Sequence, residues 1–152
     1  MSVLSHRFNP DLSHLLDRYA ALITSHGLNV QPGQLVQVMG EVYHRPLYER
    51  LVREMYRRGA GFVHVELSDP LLQRIRIQES QEQFLKSSPA FYSAKFREIV
   101  DKGAANLKVL GPEFPTYLAD LPAEPVNEVR KAAYQAAKYF YNEGIERSKV
   151  HW

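Results

Sequence analysis

Two short apolar runs, Gln34–Met39 and Phe62–Leu67, flank a segment of helical period, and this pattern constrains the fold more than any other feature. In the first run Leu35, Val36, Val38 and Met39 are apolar, and five or six residues is an ordinary strand length. Gly40–His44 reads as a loop. Pro46 suits the opening of a helix that runs to about Arg58, with Leu47, Leu51, Val52 and Met55 as its buried stripe. Gly59-Ala60-Gly61 then stops it before the second run. Strand, helix and strand at these lengths form a βαβ unit, which requires a parallel pair.

The flanking chain supplies more helices. Asn9 is a candidate cap for a helix from Pro10 to Ser25, with Leu12, Leu15, Leu16, Tyr19, Leu22 and Ile23 as its expected buried face and Gly27 as its stop. Ser68 or Asp69 caps a short helix through Leu72, and Gln78–Gln83 begins another helical segment. Pro89–Lys102 is a helix ended by Gly103, Asn106–Leu110 is a third strand, and Thr116–Leu121 is one helical turn after a loop. The longest helix runs from Pro125 to about Gly144, and Lys149–Trp152 resembles the first residues of a further strand. The fold class expected is α/β, with a small, mostly parallel sheet of three or more strands flanked by helices. Residues 1–152 are expected to form a single domain.

Charge and cysteine content exclude several chemistries. Nineteen basic residues against 17 acidic ones leave a net charge of +2, too mild a field for a nucleic-acid partner. The basic clusters, Arg50 and Arg53 with Arg57 and Arg58, and Arg74 with Arg76, read as solvated faces. The absence of cysteine excludes disulfides, thiolate nucleophiles and cysteine zinc sites. Met1–Pro10 has no sustained apolar stretch and no run approaches the roughly 20 residues of a membrane span, so a cytoplasmic protein without a membrane partner is expected.

Glu41 and His44 have the Glu-x-x-His spacing of di-metal bundles, yet such sites need a second pair and further carboxylates. Gly40 and Pro46 around them favour a loop. His64 and Glu66 alternate along the second strand and share a face, where they can be a base with its orienting carboxylate, two metal ligands, or simply polar residues on a half-exposed or partner-covered surface. Val63, Val65 and Leu67 then point to the core. No Gly-rich dinucleotide fingerprint, Walker loop, HExxH or Gly-x-Ser-x-Gly elbow occurs. The aromatic cluster at 134–141 reads as core packing or a partner interface rather than base stacking.

Several strings carry a family resemblance: Tyr19-Ala20-Ala21-Leu22-Ile23, then Gly27-Leu28-Asn29-Val30-Gln31-Pro32-Gly33-Gln34, Arg58-Gly59-Ala60, and Ser68-Asp69 with Arg74 and Arg76. Lys102-Gly103-Ala104-Ala105, Leu110-Gly111, Tyr117-Leu118-Ala119-Asp120-Leu121-Pro122 and Val150-His151-Trp152 continue it. Over most of 15–152 the chain resembles the amino-terminal part of the aminopeptidase T family of metallopeptidases. The resemblance implies a two-domain parent that releases amino-terminal residues from peptides, using a pair of divalent metals such as zinc or cobalt held in its carboxyl-terminal part. It assigns no catalytic, cofactor-binding or metal-ligating residue to this chain, because none of the family's ligand motifs falls within it. The loop Glu41–His44 differs from the apolar, small-residue version expected there. The expected partners are the carboxyl-terminal catalytic domain, a peptide substrate in the parent and a second copy in a homo-oligomer. The chain alone is expected to be a truncated, inactive, access-shaping and dimerisation domain. A stand-alone interaction or regulatory domain, or a binder of small molecules at the carboxyl ends of the strands, are the competing readings.

Overall fold

The computed structural model describes residues 10–152, so the proposed Asn9 cap lies outside the described residues. Three parallel strands form the sheet: β1 (Leu35–Glu41), β2 (Phe62–Ser68) and β3 (Ala105–Lys108), in the order β2-β1-β3. Val38 of β1 lies opposite Val65 of β2 and Leu107 of β3, while Gln37 lies opposite His64 and Asn106. Side chains alternate across a strand, so the sheet has one aliphatic face and one polar face. The fold is α/β, as the spacing of apolar runs predicts.

Helices α1 (Pro10–Leu22) and α2 (Arg45–Arg57) cover the aliphatic face. There Val36, Val38, Leu51 and Met55 are completely buried. Arg50 of α2 pairs with Asp17 of α1 at 2.9 Å and donates to the Ser13 hydroxyl at 2.7 Å, which fixes one helix on the other. Two backbones meet where β1 and β2 begin: Gly61 donates its N–H to Gln34, and a Cβ on Gly61 would lie 2.5 Å from the Gly33 carbonyl oxygen. Only glycine fits that approach.

The polar face is flanked by α3 (Pro70–Glu79), α4 (Glu82–Leu85), α5 (Ala90–Asp101) and α6 (Ala123–Tyr139). A second apolar cluster joins Ile99, Val100, Phe140 and Val150 to Leu35, and a third joins Ile77, Leu85, Val126 and Val129.

Several expectations need correction. Of the face proposed for α1, Leu12, Leu15, Tyr19 and Leu22 are exposed, while Ala20 and Thr24 are the buried residues and Leu16 and Ile23 are half-buried. Apolar residues occupy two adjacent stripes of this helix, and the one carrying the small Ala20 packs inward. The helix leaves α-geometry at Ile23, because the Thr24 and Ser25 hydroxyls donate to the Ala20 and Ala21 carbonyls and the turn widens over Ile23–Gly27. α3 runs seven residues past Leu72: Asp69 caps it by accepting from the Leu71 and Leu72 N–H groups, and buried Ile77 holds the added turns.

Gly40 and Glu41 complete β1 instead of opening a loop, and Val42–His44 form one 3-10 turn. Thr116–Leu121 is a chain of i→i+3 turns rather than a helical turn, held by bonds such as Ala119 N–H to Thr116 at 2.9 Å. α6 passes into a widened turn over Phe140–Ile145, with Gly144 packed beneath Val100 and Val150. Leu67, expected in the core, is exposed at the end of β2. Lys149–Trp152 does approach the sheet: His151 forms one parallel bridge with Ala105, where Asn106 N–H donates to the His151 carbonyl at 2.6 Å.

Candidate functional site

Two places bring together the polar residues singled out above. The first is the carboxyl end of β1, the customary ligand position of an open α/β sheet. Here the Glu41 carboxylate accepts from the Glu113 backbone N–H at 3.0 Å, and His44 Nε2 lies 2.7 Å from the Gly111 carbonyl, to which it must donate. Tyr48 of α2 donates to the Glu41 carbonyl at 3.0 Å. Burial, and then the Glu41 charge, push the Tyr48 phenol above its ordinary range, so it stays a donor. These side chains clamp the segment after β3 onto the end of β1.

The Tyr48 hydroxyl also explains Gly40. A Cβ at residue 40 would overlap that hydroxyl and crowd the Val109 carbonyl oxygen. The isolated glycine after the first apolar run therefore leaves room for the Tyr48 hydroxyl.

The second place is the polar face of the sheet. Gln37 (1% exposed) donates to the Glu66 carboxylate at 3.3 Å, and Lys95 of α5 forms an ion pair with the same oxygen. Lys95 also lies 4.7 Å from the Phe96 ring centroid and 5.1 Å from that of Tyr92. His64 shares this face with Glu66, as alternation predicts, but the carboxylate is engaged by Lys95 and Gln37 and no hydrogen bond joins it to the imidazole. Asn106 (7% exposed) stands on the other side of Gln37, its Oδ1 without a partner among the described residues.

Above this floor lies a groove of about 1140 Å³, open on one side and walled by aromatic side chains of α4, α5 and α6. Sequence reasoning missed Gln37, Lys95 and Asn106. The signal for Gln37 and Asn106 is period-two alternation against Val36, Val38 and Leu107, whereas Lys95 on a distant helix leaves no local trace.

Neither place fits a metal pair. Among the described residues no three His, Asp or Glu side chains converge as metal binding requires. Glu41, His44 and Glu66 each have one polar atom held by a protein partner. Most of the arginines in the two clusters are matched, with Arg50 on Asp17, Arg57 and Arg58 on Glu54, and Arg74 on Asp120, whereas Arg53 and Arg76 have no carboxylate partner among the described residues. No helix among the described residues is long and apolar enough to cross a membrane.

A three-stranded parallel sheet, one face packed on two helices and the other facing an aromatic groove, defines an α/β module. The model of the thermophilic metalloprotease (M29) family matches residues 12–152, and the chain belongs to that family. It is 31% identical over 121 residues to aminopeptidase 2 of Geobacillus stearothermophilus, covering 80% of this chain and 29% of that protein. Aminopeptidase T of Thermus thermophilus is 32% identical over 123 residues, 81% of this chain and 30% of the relative. The solved structure of wild-type AmpT from Thermus thermophilus superposes with a TM-score of 0.81 at 30% identity, over 89% of this chain and 34% of that one. The chain thus spans about a third of the length of the relatives it matches.

Proposed function

We propose that residues 1–152 are one domain, the amino-terminal domain of a metal-dependent aminopeptidase that removes amino-terminal residues from peptides in the cytoplasm. The observation that carries this reading is the family match from residue 12 to residue 152 against relatives named as aminopeptidases, of whose length this chain covers about a third. The metal pair, zinc or cobalt, would on this reading be held by the remaining polypeptide, where it would supply the Lewis acidity and the activated water that peptide hydrolysis needs. This domain packs on the catalytic part, shapes access to it and helps subunits pair.

Two measurements test the reading. The 152-residue chain, given leucyl peptides with zinc or cobalt, is expected to show no turnover and no stoichiometric metal binding by calorimetry. Turnover with one or two tightly bound metals would overturn the division of labour. The reading frame beyond Trp152 is expected to encode a longer domain rich in Glu, His and Asp. A stop codon there would favour a stand-alone interaction domain of the same fold.

A further inference from the structure

The outer edge of β3 and the groove beside it form one continuous surface. Val109 N–H donates to Met39 of β1, whereas Asn106 N–H donates away from β1 to His151. Backbone groups alternate in direction along a parallel strand. The Asn106 carbonyl and the Lys108 N–H therefore also face outward, and past the single Ala105–His151 bridge no backbone group among the described residues meets them. Unpaired strand edges are templates for another strand.

The side chains next to this edge are unusually bare. Leu110 (77% exposed), Trp152 (73%), Phe91 (64%) and Phe84 (60%) all line the groove. A contiguous apolar surface of this kind marks a contact with another molecule. The buried Asn106 Oδ1 beneath it lacks a donor, which an incoming amide can supply. At about 1140 Å³ the groove exceeds the usual span of small-molecule pockets, roughly 300–1000 Å³, and suits a polypeptide better.

Charge narrows the occupant further. Arg76, Lys108 and Arg130 line the groove with no carboxylate partner among the described residues, while Glu66, the one carboxylate in its lining, is already held by Lys95 and Gln37. We propose that the β3 edge and the groove together receive an extended polypeptide segment carrying both apolar and acidic side chains, paired parallel to β3 in the register that His151 begins. This deepens the reading of the chain as one domain of a larger enzyme and rests on it, since the remaining polypeptide of that enzyme is the natural source of the segment.

Two blocked synthetic peptides provide the test, one alternating valine with glutamate and the other valine with lysine. Each is titrated into the 15N-labelled 152-residue chain. The glutamate peptide is expected to shift the amide signals of Lys108, Leu110 and Trp152, to leave those of β2 in place, and to bind about tenfold or more tightly than the lysine peptide. Lys108→Glu and Arg130→Glu, both at exposed positions, are each expected to reverse that preference without changing the thermal midpoint. No binding at millimolar peptide, equal affinity for the two peptides, or shifts centred on the β2 edge would overturn the proposal. So would self-association that protects the β3 edge, which would make a second copy the occupant, or tighter binding of a single-stranded oligonucleotide in the same groove. Peptide failure leaves the reading-frame result standing, and a frame that stops at Trp152 leaves the peptide result standing, so the two readings fail separately.

Discussion

At residue 40 a methyl group and the Tyr48 hydroxyl would compete for one position. Gly40→Ala is expected to cost about 1–3 kcal/mol, the usual penalty for overpacking. Tyr48→Phe should cost about 1 kcal/mol by removing its hydrogen bond to Glu41. The double variant should be more stable than the sum of the two costs implies, because the clash and the lost bond involve the same oxygen. Urea unfolding of all four proteins completes the cycle, and strict additivity would show that the hydroxyl is not the obstacle. The glycine stands out in the sequence, isolated after an apolar run, but its partner sits on the following helix and is identified only by tertiary structure.

Asp120 offers a second residue-scale test. Both nitrogens of Arg74 reach it, at 2.6 and 2.7 Å, and this pairing holds the carboxyl down to about 2 from an ordinary value of 3.8. A depressed carboxyl stabilises the fold above its unfolded value and loses that contribution as the pH falls from about 4 toward 2. A carbon-detected NMR titration should place Asp120 near 2, and Arg74→Gln should return it to the ordinary carboxylate range. An unchanged titration in the variant would assign the shift to another cause.

Among the elements, α1 and α2 show how far hydrophobic periodicity reaches. The stripe Leu47, Leu51, Val52 and Met55 does face the sheet, and Leu51 and Met55 are fully buried there. In α1 the same rule selects the wrong stripe. Periodicity locates the apolar side of a helix, but when apolar residues cover two adjacent stripes the choice falls to the closest fit, and Ala20 allows a closer approach than Leu15 or Tyr19. Leu51→Ala is therefore expected to cost about 2–5 kcal/mol as a cavity forms. Leu15→Ala, at 59% exposure, should stay within about 0.5 kcal/mol. Comparable losses at both positions in denaturant titrations would mean that α1 packs by the stripe proposed from sequence.

Across the whole molecule, the parallel sheet was legible because strands and helices alternate at lengths only a βαβ arrangement accommodates. The groove was not legible, since its floor gathers Gln37, Glu66, Lys95 and Asn106 from four elements whose neighbourhood exists only once the chain has folded. The unpacked α1 stripe is a consequence at this same scale. Leu12, Leu15, Tyr19 and Leu22 repeat at i, i+3, i+7 and i+10 along one exposed line, an arrangement that favours contact with an equivalent helix. Weak, concentration-dependent dimerisation through α1 is the expected result, read as a rising average mass in sedimentation equilibrium. Replacing Leu15 and Leu22 together by glutamate should leave a monomer whose thermal midpoint is little changed, because neither side chain contributes to the core. Lys108→Glu and Arg130→Glu, on the far face of the sheet, should leave the dimer intact. A dimer that survives the α1 changes and dissolves with the groove changes would reassign the contact to the β3 edge.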